Sequence, residues 1–153
     1  MPRTKIDLPY HIDHLSILDA EGNLDQSLVP QISDNVLTRL YSGMLLGRRF
    51  DERLLNLQRQ GRIGTFPPIS GQEASQLGAV ATLRDTDWMV PAFRETAAEI
   101  WRGRTLESVI LSNNGYSEGA QTSEKSFTLP VSIPVGSQML HAVGIGWSLG
   151  YRK

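Results

Sequence analysis

The side chains that most often perform catalysis are scarce in this 153-residue sequence. It contains no cysteine, which excludes a disulfide framework, a thiolate metal site and a cysteine nucleophile. The sequence shows no Ser–His–Asp constellation, no pair of histidines at metal-ligand spacing and no Gly-x-Gly-x-x-Gly loop. We expect His11 and His14 on the surface, and His141 packed in a helix among apolar neighbours. The residue types alone therefore predict no catalytic side chain.

The charged residues do not favour a polyanionic partner. The formal net charge is −1, and the sequence has no arginine or lysine stripe of the kind that nucleic-acid binding requires. It also has no secretory signal and no apolar run of about 20 residues, so we expect a cytoplasmic protein without a membrane partner. The densest basic residues alternate with acidic ones, a pattern typical of a solvated or ion-paired helix surface. They are Arg48, Arg49, Arg53 and Arg59, interleaved with Asp51 and Glu52.

The elements that must position any site are mainly helical. Apolar residues recur at helical spacing over 34–60, Ser33 is a suitable N-cap, and Gly61 is a typical helix end. Two prolines and two glycines within 64–71 predict a loop, and small residues over 72–83 predict a helix that another backbone can approach closely. Further helices are expected over 96–101, 106–113 and 137–150, short strands at 15–18 and 88–91, and an extended segment at 129–136.

The order of helices and short buried strands predicts an α/β fold that is rich in helix and has short parallel strands. We divide the chain into an N-terminal arm, 1–32, and the N-terminal part of a larger domain, 33–153. Residues 113–127 carry no periodicity and are rich in serine, glycine and asparagine, so we expect a mobile surface loop. The segment that ends at Val135 and the helix after it are expected to present an apolar surface.

Four short segments stand out by their order and spacing. They are Gln60-Gly61-Arg62-Ile63-Gly64, Gly71-Gln72-Glu73-Ala74, Ala92-Phe93-Arg94-Glu95 and Leu129-Pro130-Val131-Ser132-Ile133-Pro134-Val135-Gly136-Ser137-Gln138. Together they resemble the alpha subunits of pyruvate and branched-chain 2-oxo acid dehydrogenases, which use thiamine diphosphate. The resemblance runs from about residue 15 to the last residue and covers less than half of a complete family member. It implies the first half of a three-layer fold that binds thiamine diphosphate.

The resemblance implies a diphosphate contact at Arg94. A guanidinium can bond two phosphate oxygens at once and keeps its charge at any working pH. The alternative is a surface arginine beside Glu95. Phe93 stands where the family commonly has a tyrosine, so the ring remains while the hydroxyl and its hydrogen bond to the phosphate are lost.

The resemblance also implies a second binding segment, 132–138, which passes under the cofactor's rings. Ile133 and Val135 are expected to line the rings, and the Val135 carbonyl is available to the pyrimidine amino group. The segment is also expected to be a buried strand that enters a helix, which does not compete with this role. In branched-chain relatives the matching stretch binds a potassium ion, for which carbonyl and hydroxyl oxygens are suitable ligands. The corresponding positions in this chain are Ser132, Pro134, Ser137 and Gln138.

The remaining implications concern parts that the chain does not contain. The magnesium ligands of the family lie in a Gly-Asp-Gly motif with a later Asn, expected shortly after Lys153. A beta subunit, in a heterotetramer, contributes the activating glutamate, and the acyl group passes to a lipoyl-bearing acyltransferase core of a multienzyme complex. The segments 59–62 and 71–76 look closest to bacterial members that act on pyruvate and connect glycolysis to acetyl-CoA. The alternatives are a branched-chain or acetoin dehydrogenase alpha subunit, or a non-catalytic remnant that acts only in assembly; the fragment alone is expected to be inactive.

Overall fold

The computed structural model describes residues 9–120 and 126–151. The chain divides into two compact units, Met1–Ser33 and Asp34–Lys153. Among the described residues of the first unit, strand pairing is limited to a single antiparallel bridge between Leu18 and Leu24. The turn between them is held by the Asp19 carboxylate, which accepts the backbone N–H of Asn23 at 2.7 Å. The strand predicted at 15–18 is therefore reduced to one bridging residue.

The second unit begins with α1, Asp34–Arg59, which confirms the long helix predicted from the apolar periodicity. The helix ends where Gly61 adopts a φ of 68°, a conformation that costs glycine little. The N–H of Gly61 then bonds to the carbonyl of Gln58, and the N–H of Arg62 bonds to that of Leu57, both at 2.9 Å. This pair of bonds satisfies carbonyls that the end of a helix otherwise leaves without partners.

Four further α-helices and one short 3₁₀ helix follow within the described residues. The helix predicted over 72–83 is shorter in the structure. The loop predicted over 113–127 contains the 3₁₀ helix, and its residues 121–125 lie outside the described part. The 3₁₀ helix packs so closely on α4 that a Cβ atom at Gly119 would overlap the backbone of Ser112. The elements are α2, Glu73–Val80; α3, Thr96–Trp101; α4, Leu106–Asn113; the 3₁₀ helix, Ser117–Ala120; and α5, Ser137–Tyr151.

Two apolar clusters form the core of the second unit. The first joins α1, α2 and α3, and Gly47 of α1 permits their close approach because a Cβ atom there would lie 3.4 Å from Ala97. The second lies between α1, the loop 60–72 and α4. The buried members of the first cluster are Ile69, Leu77, Val80, Met89, Ala97 and Ala98. Those of the second are Phe50, Leu54, Ile63, Phe66 and Val109.

The second unit is rich in helix, and its described residues do not show the short parallel strands predicted from the sequence. Parallel pairing is limited to one bridge, in which the Met89 N–H bonds to the Phe127 carbonyl at 2.7 Å and the Met89 carbonyl accepts from Leu129 at 2.9 Å. Pro91 and Pro130 flank this bridge. Because proline has no backbone N–H, Pro91 cannot donate the next hydrogen bond of the ladder.

The last helix, α5, has no buried residue. The prediction that His141 packs in a core is therefore wrong for this chain, since no described element covers that side chain. The predicted apolar surface is confirmed: Val135, Leu140 and Trp147 are each more than two-thirds exposed. None of the helices in the described ranges is long and apolar enough to cross a membrane.

Candidate functional site

The loop 60–72 is shaped by a buried carboxylate of α1. Asp51, predicted to lie among surface charges, is only 5% exposed. Its two carboxylate oxygens accept the backbone N–H of Ile69 at 2.9 Å and of Ser70 at 3.2 Å, and the Ser70 hydroxyl at 2.8 Å. The carboxylate thus accepts from backbone N–H groups that have no partner in a helix or strand, and it fixes the course of the chain just after Pro68.

A second acid holds the far end of the same loop. Glu73, the first residue of α2, accepts Arg48 Nε at 2.6 Å and Nη2 at 3.1 Å, and it also accepts the Gly71 N–H at 2.9 Å. The hydrogen bonds from Arg48 lower the pKa of Glu73, although burial of the carboxyl acts in the opposite direction. The predicted ion pairing of the α1 arginines is thus confirmed at Arg48, with a partner outside α1.

Arg94 lies in a short connection before α3 and points its guanidinium toward this loop. Its Nη1 donates to the Pro68 carbonyl at 3.1 Å, and the guanidinium carbon lies 5.2 Å from the centre of the Phe93 ring. Among the described residues, Arg94 forms no salt bridge, so the alternative of a surface pair with Glu95 is not seen. Glu95 instead carries a buried Oε2 that has no hydrogen-bond partner in the described part of the chain.

The backbone of Arg94 is held by a buried glutamine. Gln76 of α2 is 7% exposed and donates from Nε2 to the Arg94 carbonyl at 2.7 Å. Its Oε1 accepts the N–H groups of Ala97 at 3.0 Å and of Ala98 at 3.4 Å. Since Glu95 provides no side-chain cap for α3, Gln76 supplies the missing cap from a neighbouring helix. The sequence prediction did not identify Gln76 or Asp51 as site residues.

Ile133 and Val135, predicted to line the cofactor rings, are more exposed than Arg94. Ile133 is 70% exposed and Val135 is 87% exposed, so the described residues leave most of each residue uncovered. Ser137 Oγ donates to Ser132 Oγ at 3.0 Å, and the buried Gln138 Oε1 has no hydrogen-bond partner among the residues that the structure describes. Within the described ranges, no hydrogen bond joins this segment to Phe93 or Arg94.

A cleft of about 910 Å³ in the second unit is lined by neither part of the predicted site. Its wall includes the buried pair in which Arg104 Nη1 donates to both oxygens of Glu99, at 2.7 and 2.8 Å. Burial raises the pKa of Glu99, and the attraction of Arg104 offsets this only in part. Arg104 and Ser108 also bond to the Gly119 carbonyl, so the pair connects α3, α4 and the 3₁₀ helix. The described residues contain no cluster of three or more histidine and acidic side chains suited to a metal ion.

Residues 41–153 match the model of the dehydrogenase E1 component family, and the chain belongs to that family. It is 38% identical over 138 residues to the pyruvate dehydrogenase E1 component subunit alpha of Mycoplasma genitalium, a match covering 90% of this chain and 38% of that protein. It is 35% identical over 147 residues to the protein of the same name from Staphylococcus aureus, a match covering 95% of this chain and 40% of that one. The chain thus spans about two fifths of the length of these curated relatives.

Proposed function

We propose that this chain forms the N-terminal part of the alpha subunit of a thiamine-diphosphate-dependent pyruvate dehydrogenase. The proposal rests on the observation that Arg94, in the Ala92-Phe93-Arg94-Glu95 segment of an E1 family chain, has no ion-pair partner among the described residues. Two relatives that match at least nine-tenths of this chain are named pyruvate dehydrogenase E1 component subunit alpha, which supports pyruvate as the substrate.

The residues present fit the diphosphate end of the cofactor. A guanidinium has five N–H donors, and one of those on Arg94 is used by the Pro68 carbonyl. The others remain available to phosphate oxygens, and the half-exposed position allows a ligand to reach them. Phe93 lies beside the guanidinium and contributes a ring without a hydroxyl. We therefore propose that Arg94, with Phe93 packed against it, binds the diphosphate.

The residues at 132–138 fit the aromatic end. Ile133 and Val135 offer exposed branched side chains, suited to contact with flat apolar rings. We propose that they line the thiazolium and pyrimidine rings. If a potassium ion binds here as in the branched-chain relatives, Gln138 Oε1, which has no hydrogen-bond partner among the described residues, and the Ser132 hydroxyl would supply oxygen atoms, together with Pro134 and Ser137. Mg²⁺ is assigned to ligands beyond Lys153.

Thiamine diphosphate, when bound, supplies the electron sink that decarboxylation of a 2-oxo acid requires. The part of this chain is positioning and electrostatics. Arg94 neutralises charge on the diphosphate, and Ile133 and Val135 keep water from one face of the rings. No residue of the chain is proposed to transfer a proton.

The proposal includes partners and location. The alpha subunit is proposed to assemble with a beta subunit into a heterotetramer, to transfer acetyl groups to the lipoyl arm of an acyltransferase core, and to act in the cytoplasm. Residues 1–32 are proposed as an arm and 33–153 as the first part of the three-layer domain, whose short parallel strands are completed by later segments. The alternatives remain an alpha subunit for branched-chain 2-oxo acids or acetoin, or an assembly remnant.

Substrate comparison in the complete enzyme tests the proposal. The complete alpha chain is co-expressed with its beta subunit, and reduction of ferricyanide is followed with pyruvate, 3-methyl-2-oxobutanoate or acetoin at saturating thiamine diphosphate and Mg²⁺. We expect the highest kcat/KM with pyruvate. A preference for either other substrate would assign the chain to the corresponding alternative. Assembly with the beta subunit but no turnover of any substrate would instead favour the remnant.

A further inference from the structure

We infer that Gln76 is a positioning residue for Arg94 in the dehydrogenase. The inference rests on the proposed role of Arg94 and concerns how that side chain is held. Gln76 is buried, and one amide group serves two neighbours: its Nε2 donates to the Arg94 carbonyl, and its Oε1 accepts from Ala97 and Ala98. One side chain of α2 therefore fixes both the backbone of Arg94 and the start of α3.

The other end of Arg94 is fixed by the loop. Its Nη1 bonds to the Pro68 carbonyl, and the residues directly after Pro68 are tied to the buried Asp51 carboxylate. With the backbone held by Gln76 and the guanidinium held by the loop, the side chain has few conformations left to lose when it binds an anion. Binding to a prearranged donor avoids the entropic cost of ordering a long side chain.

A glutamine meets the requirements at this position because it both donates and accepts. Leucine has a similar size but can neither donate nor accept, so Gln76→Leu removes all three contacts. The Gln76→Glu variant keeps an acceptor for Ala97 and Ala98, and its ionised carboxylate cannot donate to the Arg94 carbonyl. The two variants share only the loss of the bond to Arg94. An effect on the cofactor that appears in both is therefore traced to that bond.

The test uses the dehydrogenase assembled from the complete alpha chain and its beta subunit. The dissociation constant of thiamine diphosphate at saturating Mg²⁺ is measured by quenching of tryptophan fluorescence, and kcat is measured at saturating cofactor. We expect both Gln76 variants to raise the dissociation constant about 3- to 10-fold, the range that one hydrogen bond provides, and to leave kcat close to that of the parent. The control is Val80→Ala, which removes buried volume from the same helix and should lower thermal stability without changing the dissociation constant.

A double-mutant cycle separates positioning from general damage. If Gln76 acts through the Arg94 side chain, Gln76→Leu has no further effect on cofactor binding in an Arg94→Ala background. Equal effects of Gln76→Leu with and without Arg94 would overturn the inference, as would unchanged affinity in both Gln76 variants. Failure of the proposed function is seen separately, because Arg94→Ala alone would then leave the dissociation constant unchanged.

Discussion

Replacing Arg94 by alanine is expected to weaken thiamine diphosphate binding to the assembled dehydrogenase by about 10- to 150-fold. The substitution removes a guanidinium that has no ion-pair partner in the described chain, so the loss falls on the ligand. A charge-assisted hydrogen bond contributes about 1.5 to 3 kcal/mol, which corresponds to that range. The bond from Gln76 goes to the main-chain carbonyl of residue 94 and survives the change. The only described protein hydrogen bond that the side chain loses is the exposed one to Pro68, so the fold should persist.

The assay is activity as a function of cofactor concentration at saturating pyruvate and Mg²⁺, together with equilibrium binding by fluorescence. Arg53→Ala is a matched control, because Arg53 is exposed on α1 and forms no ion pair with a described residue. It should leave the half-saturating concentration unchanged. If Arg94→Ala titrates like the parent and like Arg53→Ala, then Arg94 is an ordinary surface residue and the diphosphate site has been assigned to the wrong segment.

Further predictions address the cofactor, the chain alone and its pH dependence. Phe93→Tyr restores a hydroxyl beside the phosphate and should tighten thiamine diphosphate binding or leave it unchanged; weaker binding in the same titration would argue against the proposed contact. The isolated 153-residue chain should bind thiamine diphosphate with Mg²⁺ negligibly by calorimetry, and tight Mg²⁺-dependent binding would contradict the assignment of the metal ligands beyond Lys153. The isolated chain should also self-associate in sedimentation because α5 is apolar and uncovered, whereas a stable monomer would contradict this. Finally, the pKa of Glu73 is lowered in the folded state, so its ionised carboxylate stabilises the fold above the ordinary glutamate pKa range, and this stabilisation is lost as pH falls through the folded pKa. Glu73→Gln should therefore reduce the loss of the free energy of unfolding at acidic pH, measured by denaturant unfolding at a series of pH values. An unchanged loss in the variant would refute this role of Glu73.

The long helix could be predicted closely from the sequence because its signals are local. The apolar repeat predicts one buried stripe over 34–60, and Gly61 supplies the backbone conformation that ends it. The strand predicted at 88–91 was wrong in extent, because only Met89 of that segment pairs with the described residues. Whether a short apolar run forms a strand depends on how much backbone lies beside it, and the described partner segment pairs at one residue only. Such pairing depends on the tertiary structure, so the periodicity of the sequence does not predict it.

The residues of the candidate site also differ in whether the sequence could predict them. Arg94 is identified by a short motif, whereas Gln76 and Asp51 are identified by what they touch. A signal for Asp51 was present, since it shares one face of α1 with Gly47, Phe50 and Leu54, all of which are buried. An acid within an apolar stripe needs hydrogen-bond donors, and a loop rich in proline and glycine has backbone N–H groups without partners. Gln76 gave no such signal, because a glutamine in a helix of small residues is compatible with either solvent or a buried contact.

The two parts of the proposed site differ in how they are supported. Arg94 is held by hydrogen bonds within the described residues. The buried Gln76 bonds to its carbonyl, and the buried Asp51 fixes the loop directly after Pro68, whose carbonyl accepts from the guanidinium. The segment carrying Ile133 and Val135 leads into α5, a helix of 15 residues without a buried side chain, with Trp147 stacked on Tyr151 at 5.4 Å. An isolated helix of about this length is marginal in water, so α5 needs a covering surface to be stable. Arg94 should therefore be positioned before assembly, while the ring-lining surface should acquire its order only when α5 is covered.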